Sequence, residues 1–232
     1  MPRRLPTVVD MDDQGAPNRT GTMVPVELDF PFRGRWIVQN SPDRRVPSHG
    51  THLFGTTYAI DFVPVDDRGR SAPRTWRSLV SVESPEIFVG CGRPVLASVA
   101  GTVVAVHDAE PDHEARRSQP ALLAYALTQA GRVRGGPNAI AGNHVVIAVA
   151  PGGPFVLLAH LRRGSVSVRP GDSIRAGDAV GTCGNSGNST EPHVHVQVTD
   201  STDWATTRGL PIVFRAPSGR VWLPREREVV DV

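Results

Sequence analysis

Short apolar segments rich in β-branched residues, separated by turns that contain glycine or proline, recur along the chain from Tyr58 onward. Alternating apolar and polar positions are typical of half-buried strands, and short apolar runs between turns are typical of buried ones. The pattern therefore predicts a series of short strands. They cover residues 58–63, 94–97, 101–107, 144–149, 155–161, 165–168, 179–183, 194–198, 211–215 and 220–223.

The same pattern predicts one central domain with two extensions. Residues 1–45 are rich in proline, aspartate and arginine, and their apolar stretches at 24–32 and 36–38 predict an N-terminal arm with one or two strands laid on the main domain. Residues 46–200 form the predicted domain, and residues 201–232 supply C-terminal strands packed on it. We therefore predict a single all-β domain, an antiparallel sheet or sandwich with long loops and terminal arms.

Two long segments interrupt the strand pattern. Residues 66–85 are rich in arginine, serine and proline, and residues 108–142 form a second insertion with a short helix predicted at 120–130. Loops of this length in a compact β domain usually border a functional cleft. We expect both insertions to line a groove.

The segment VRPGDSIRAGDAVG at residues 168–181 predicts a hairpin. Its two Gly-Asp steps turn the chain sharply, which directs Ile174 and Val180 into a core. Domains that carry biotin or lipoate use a similar turn, but they need a lysine to modify. All 25 basic residues of this chain are arginine, so the carrier function is excluded, as are Schiff-base chemistry and Walker-type nucleotide hydrolysis.

Charge and hydropathy exclude further classes. The net charge of +2, with arginines scattered among acids, does not favour a nucleic-acid partner. No apolar run reaches 18 residues, so we expect no membrane span. The basic start MPRRLP is not followed by an apolar stretch, which on sequence alone predicts a cytoplasmic protein unless another route exports it. Cys91 and Cys183 lack zinc-site spacing; two reduced thiols are expected, with a disulfide as the alternative.

Histidines and one aspartate form the candidate chemistry of the chain. His193 and His195 lie two positions apart in a predicted strand, so both imidazoles face one side. His160 ends the apolar run FVLLAH, and Asp61 is a lone carboxylate within the strand YAIDFV, where it needs a cation or several donors. Two imidazoles and one carboxylate, with a fourth position left to water, are the ligands of a catalytic zinc ion.

Two of the five remaining histidines lie near the candidate site in sequence, and three do not belong to it. SHGTH, at residues 48–52, places His49 and His52 on a loop that leads into the Asp61 strand. His107, His113 and His144 are lone histidines, which are most often satisfied or exposed side chains, and we assign them no role. An H-x-H pair alone is a weak signal, but the ordered set of segments favours a metal site over incidental histidines.

These segments also carry a family resemblance. The stretch GRPVLASVAGTVVAV at 92–106, then GNHVVI at 142–147, LAHL at 158–161 and GNSGNSTEPHVHVQ at 184–197 resemble the M23 (LytM/lysostaphin-like) zinc metallopeptidases in order and content. The resemblance covers roughly residues 46–200. It implies the lysostaphin-like, duplicated hybrid motif-like β fold and one zinc ion per chain.

The resemblance also implies roles for individual residues. The zinc ligands would be a histidine of the 48–52 loop, Asp61 and His195, while His160 and His193 would act on water and substrate. Many family members separate the first histidine from the aspartate by only three residues, whereas here His49 lies twelve positions and His52 nine positions before Asp61. The Ser-His-Gly context favours His49, and His52 stays open.

The resemblance further implies a zinc-dependent endopeptidase that hydrolyses peptide bonds, with peptidoglycan cross-bridges or stem peptides as substrate. Its usual substrate would place the protein in the cell envelope or outside the cell. Two alternatives stay open: a catalytically silent module that binds a peptide or activates a hydrolase, and a hydrolase of an intracellular peptide. Arginines of the two insertions, such as Arg68, Arg70, Arg74, Arg116 and Arg117, are candidates for binding peptide carboxylates, although a solvated face is more usual.

Overall fold

The computed structural model describes residues 23–74, 76–118 and 134–232, and most of their regular structure is β-strand. The strands are β1 (Val26–Asp29), β2 (Arg35–Gln39), β3 (Ile60–Pro64), β4 (Pro94–Leu96), β5 (Gly101–His107), β6 (Asn143–Ala148), β7 (Phe155–Leu161), β8 (Ser173–Ile174), β9 (Ala179–Thr182), β10 (Val194–Thr199), β11 (Ile212–Arg215), β12 (Val221–Trp222) and β13 (Val229–Asp231). The helices are α1 (Arg77–Val80) and α2 (Pro137–Ala141), with 3₁₀ turns at Leu53–Tyr58 and Pro85–Ile87.

Eight strands form the main sheet, in the order β13-β2-β3-β10-β7-β6-β5-β8. All its pairings are antiparallel. Strands β4 and β9 form a separate antiparallel pair. In the three-stranded sheet β1-β11-β12, the β1–β11 pairing is parallel, which antiparallel hairpins alone would not have produced. The predicted all-β, antiparallel fold class is confirmed, with this one parallel pairing as an exception.

The core lies between the main sheet and the smaller sheets. Its largest fully buried side chains include Trp36, Phe32, Phe62 and Phe214. Phe32 stacks on Trp36 at a centroid distance of 4.5 Å, and Phe62 contacts Phe214 edge to face at 5.2 Å. Phe62 belongs to β3, so burial of the aromatic cluster fixes the strand that carries the candidate aspartate.

Most predicted strands lie within one or two residues of an observed one, and two differences have clear causes. The strand predicted at 165–168 is wrong. The backbone N–H of Ser165 donates to Arg162 O in a turn, and that of Val166 donates to the Asp108 carboxylate, so these donors are not available to a ladder. The edge strand β13 and the two-residue β8 were not predicted, because neither has a long apolar pattern. The helix predicted at 120–130 lies outside the described residues.

The two turns predicted at residues 168–181 form, but the predicted hairpin does not, because β8 pairs with β5 and β9 pairs with β4. Asp172 and Asp178 each accept a backbone N–H three residues upstream, from Arg169 and Arg175, at 2.8 and 2.7 Å. Ile174 and Val180 are buried in the main core. The carboxylates therefore close both turns while the apolar side chains hold the segment against the domain.

The two insertions pack on each other. Residue Glu83 forms a bridge with Ala115 and accepts two hydrogen bonds from the Arg117 guanidinium, each 2.8 Å long. Ala72, Phe88 and Ala115 form a small buried cluster beneath this contact. The first insertion also contains the single-turn helix α1, and the second ends in α2. The described parts of the two insertions are therefore held to each other.

Two further features bear on the sequence predictions. Cys91 and Cys183 are free thiols, with Cys183 buried, and burial raises the pKa of both.

Among the described residues, no helix has the length and apolar character to cross a membrane. The division at residues 45 and 200 stays a prediction; β2 and β13 are both strands of the main sheet.

Candidate metal centre and active site

The candidate site lies where three neighbouring strands, β3, β10 and β7, run side by side. His195 of β10 pairs in register with Asp61 of β3 on one side and with Ala159 of β7 on the other. His193 precedes it by two residues, so both imidazoles share a face, as the period of a strand requires. The structure places His49, Asp61, His160, His193 and His195 around one cleft of about 460 Å³.

The first predicted histidine reaches the site from a folded-back loop. The backbone N–H of Ser48 donates to Thr57 O, and this bond brings His49 beside β3. His49 Nε2 lies 3.1 Å from Asp61 Oδ2. His52 instead lies in the exposed part of the loop, with Nδ1 3.0 Å from Thr57 Oγ1. The geometry therefore brings His49, not His52, to the aspartate.

His49, Asp61 and His195 form a compact donor set, which we call the carboxylate side. One ligand atom from each lies within 4.8 Å of the others. His195 Nδ1 is 2.9 Å from Asp61 Oδ1, and the Asn40 amide donates to Asp61 Oδ2 at 2.7 Å. Two imidazole nitrogens and a carboxylate oxygen at this spacing are a donor set that fits zinc.

His160 enters the cleft through an irregularity of the sheet. Across the β6–β7 pairing, Asn143 lies opposite Leu161 and Val145 lies opposite Leu158, so β7 carries one extra residue there. His160 has φ +63°, a left-handed conformation that is uncommon for a residue other than glycine. The bulge re-aims this side chain out of the strand pattern and into the cleft.

His193 is positioned by the turn that precedes β10. Its Nδ1 lies 2.8 Å from Glu191 O and 3.0 Å from Ser189 Oγ. Its Nε2 lies 3.7 Å from Asp61 Oδ1, and its ring centroid is 4.6 Å from that of His160. We call His160 and His193 together the carbonyl side, because backbone carbonyls hold both rings.

Backbone carbonyls also fix which nitrogen of each ring is protonated. A carbonyl accepts and cannot donate, so His160 Nδ1–H donates to Ser186 O at 2.9 Å and His193 Nδ1–H donates to Glu191 O. The Ser48 hydroxyl donates to Thr56 O, which leaves its oxygen to accept from His49 Nδ1–H at 3.0 Å. His160 and His193 therefore turn an unprotonated Nε2 toward the cleft, while His49 Nε2 faces Asp61 Oδ2 at 3.1 Å.

The pKa values of the buried groups of the site are shifted in different directions. Burial alone would raise the pKa of Asp61, but the nearby charges of His49 and His193, with hydrogen bonds from His195 and His49, hold that pKa well below its usual range. Burial holds the pKa of His160 well below the usual value for histidine. Burial would lower the pKa of His195 as well, but the bond to Asp61 outweighs it and raises that pKa. At neutral pH an anionic carboxylate thus faces a neutral His160.

The prediction that both insertions line the cleft holds only for the described end of the second one. Among the described residues, the cleft is lined by Pro137, Ile140 and Ala141 from the end of the second insertion and by no residue of 66–85. The arginines proposed for substrate carboxylates are engaged elsewhere: Arg70 pairs with Asp66, and Arg117 pairs with Glu83. Neither guanidinium lines the cleft, and a role for these arginines in binding substrate carboxylates stays a prediction.

The comparisons with known proteins agree with the resemblance. Residues 122–209 match the model described as Peptidase family M23. The resemblance to the M23 family is confirmed. The matched segment contains His160, His193 and His195, whereas His49 and Asp61 lie before it.

Solved structures of M23 proteins overlap with this chain at low identity. One is the catalytic domain of a prophage-encoded M23 protein, EnpA, from Enterococcus faecalis (19% identity, TM-score 0.38, 66% of this chain and 73% of that one). Another is the catalytic domain of lysostaphin from Staphylococcus simulans (18%, TM-score 0.38, 69% and 86%). A third is pseudoalterin, an M23 metalloprotease from the deep sea (12%, TM-score 0.40, 81% and 76%).

Two residues of this M23-like site were not among the predictions. Asn40 lies next to the register partner of Asp61 on β2, and no sequence pattern connects it with the aspartate. Gln197, in contrast, lies two positions after His195 on the same face of β10, and its Oε1 is 2.9 Å from His195 Nε2. The strand period that grouped His193 with His195 also includes Gln197 and would have identified it.

Proposed function

We propose that this chain is a zinc-dependent metalloendopeptidase that hydrolyses peptide bonds in the cross-bridges or stem peptides of peptidoglycan. The M23 match supports a peptidase. The observation that carries the zinc proposal is the donor set of His49, Asp61 and His195, whose ligand atoms lie within 4.8 Å of one another at the floor of a cleft.

In this proposal the carboxylate side holds one zinc ion. Asp61 stays anionic because its neighbours keep its pKa low, so its charge is available to a cation. When bound, zinc would polarise the scissile carbonyl and lower the pKa of its water toward about 7. The other residues of the cleft then orient the peptide and handle the protons.

The carbonyl side supplies the two working imidazoles. His160 is neutral and points Nε2 into the cleft, so we assign it the acceptance of the proton from the attacking water. His193, with Nδ1 held by Glu191 O, takes the other role: once protonated at Nε2, it donates a hydrogen bond to the oxyanion of the tetrahedral intermediate. All five implied positions are retained, which favours an enzyme over a silent relative.

Zinc stoichiometry tests the proposal most directly. Elemental analysis of the purified chain should give about one zinc per chain, and the same analysis of His195→Ala should give almost none. His52→Ala is the matched control and should keep its zinc, because His52 lies outside the donor set. Absence of zinc from the unaltered chain after reconstitution at neutral pH would contradict the proposal and favour the peptide-binding module.

The substrate requires a separate measurement. Zinc-loaded protein incubated with purified peptidoglycan should release fragments whose mass spectra locate the cleaved peptide bond. His193→Ala, loaded with zinc in the same way, is the control and should release none. Zinc binding without any release, combined with hydrolysis of soluble peptides, would replace peptidoglycan with an intracellular peptide substrate, and fractionation of cells would locate the native protein.

A further inference from the structure

We infer that Gln197 is a positioning residue that fixes the ring nitrogen with which His195 faces the metal. The inference rests on the proposed zinc site. Gln197 is a fully buried polar side chain in the central strand β10, two residues after His195. Its two amide atoms make two separate contacts, one with a backbone carbonyl and one with the imidazole.

The backbone contact fixes the orientation of the amide. Gln197 Nε2 donates to Phe54 O at 2.9 Å. Because a carbonyl oxygen only accepts hydrogen bonds, a flipped amide would set two acceptors against each other. The amide oxygen of Gln197 is therefore the atom that faces His195.

The orientation of the amide then determines the protonation of the ring. Gln197 Oε1 lies 2.9 Å from His195 Nε2 and can only accept, so His195 keeps its proton on Nε2. A metal on the carboxylate side would then take the lone pair of Nδ1, in place of the hydrogen bond that Nδ1 otherwise donates to Asp61 Oδ1 at 2.9 Å. The path from Phe54 O through Gln197 to His195 thus selects Nδ1 as the ligand atom.

His195 is oriented in the opposite sense to the other histidines of the site. His49, His160 and His193 each hold their proton on Nδ1 and turn Nε2 inward. On β10, His195 reaches the aspartate of the adjacent strand with Nδ1 instead. Without the glutamine, Asp61 Oδ1 would be the remaining fixed partner and would favour a proton on Nδ1, the nitrogen that faces the metal.

The carbonyl at the start of this path is held by an unusual turn. Phe54 and Gly55 both have left-handed backbone conformations, with φ of +57° and +76°. A Cβ on Gly55 would lie 2.5 Å from Thr199 Cγ2 of β10, so the glycine lets the turn approach the strand closely. The turn is therefore shaped to bring Phe54 O within reach of Gln197.

Two measurements test the inference. Long-range ¹⁵N–¹H NMR of the unaltered, zinc-loaded protein should show His195 with a protonated Nε2 and a zinc-bound Nδ1. Chelator competition should show zinc binding about 10- to 100-fold weaker in Gln197→Met, which has a similar size but no amide oxygen. Gln197→Glu restores an acceptor for His195 and should recover part of the affinity.

The matched control is Gln39→Met, since Gln39 lines the same cleft on β2. The zinc affinity of this variant should differ from that of the unaltered chain by less than about twofold. A protonated Nδ1 on His195, or a Gln197→Met affinity equal to that of the control, would overturn the inference. Absence of zinc from the unaltered chain would instead overturn the proposed function. If Gln197→Met does not fold, the NMR measurement on the unaltered chain still decides the tautomer.

Discussion

The carboxylate side and the carbonyl side of the cleft each contain a buried imidazole, His195 and His160, and the pKa values of these two rings are shifted in opposite directions. His195 has a raised pKa because the hydrogen bond and the charge of Asp61 outweigh burial. His160 has a lowered pKa because burial dominates and the charges of His193 and His195 add to it, and its hydrogen bond to the neutral carbonyl of Ser186 does not offset them. Burial alone therefore does not determine the charge of a histidine. Its hydrogen-bond partner does, and the sheet supplies a different partner on each flank of β10.

Removing the central carboxylate should have the largest effect. In Asp61→Asn the negative charge between the histidines disappears while the shape of the side chain is kept, so we expect zinc affinity to fall by more than about 100-fold and hydrolysis to be lost. Chelator competition and turnover of a peptide substrate measure both. Asp66→Asn, whose aspartate pairs with Arg70 outside the cleft, is the control and should keep both properties. Retention of zinc by Asp61→Asn would contradict the assignment of the carboxylate side.

Truncating the carbonyl side should separate metal binding from turnover. We expect His160→Ala and His193→Ala to keep about one zinc per chain while kcat/KM falls by about 10²- to 10⁴-fold, because the proposal gives His160 the proton of the water and His193 a hydrogen bond to the oxyanion, and makes neither a ligand. Elemental analysis and peptide hydrolysis are measured on the same preparations. Loss of zinc from either variant, or turnover equal to that of the unaltered chain, would contradict the division of roles.

A glycine behind the carbonyl side offers a smaller perturbation. Gly142 has φ +61°, and a Cβ there would lie 2.5 Å from Ser186 Oγ, so Gly142→Ala should displace the segment whose carbonyl holds His160. We expect a stability loss of more than about 1–2 kcal/mol, measured by urea unfolding, together with reduced turnover.

The control for this variant is Gly164→Ala. Gly164 also has a positive φ, +71°, but open space surrounds it, so the alanine should add only backbone strain and turnover should stay unchanged. Equal behaviour of the two alanine variants in both measurements would show that Ser186 does not position His160.

The pH dependence of stability should show the smallest effect. In the zinc-free protein, the folded pKa of His160 lies well below its unfolded value of about 6.5, so stability from neutral His160 is complete above about pH 6.5 and is lost as the pH falls. His195 has the opposite sign: its contribution is complete below about pH 6.5 and is lost as the pH rises. His160→Gln should therefore lose less stability than the unaltered chain between about pH 7 and pH 5.

Urea midpoints recorded at several pH values in the presence of a chelator would test this expectation. The exposed His52 supplies the control, since His52→Gln should keep the slope of the unaltered chain. Identical slopes for His160→Gln and the unaltered chain would show that His160 is not held neutral.

The sequence was most informative where a local period determines geometry. Alternation along strands predicted β5 and β7 at their observed bounds and placed His193 and His195 on one face. Asp61 stood out because a lone carboxylate in an apolar strand needs a partner, and that partner, His195, lies directly opposite it. These features depend on residues close in sequence or on the cost of burying a charge.

Features that depend on contacts distant in sequence could not be predicted in the same way. The bulge that turns His160 into the cleft arises from the pairing of β6 with β7, and no glycine marks its left-handed backbone. The choice of His49 over His52 needs the fold of the loop around Thr57. Both insertions were expected at the groove because of their length. Among the described residues only the end of the second insertion lines it, and Glu83 and Arg117 join the two insertions to each other.

The pairing of β3 with β10 has a consequence for the synthesis of the protein on the ribosome. Asp61 and His195 are separated by 134 positions in the chain, so a ribosome must synthesise most of the polypeptide after the carboxylate before its imidazole partner exists. Contacts of such long range form late, since a large loop must close first. Fragments released early from synthesis lack the complete donor set. A nascent or prematurely terminated chain that lacks His195 therefore cannot assemble the proposed centre.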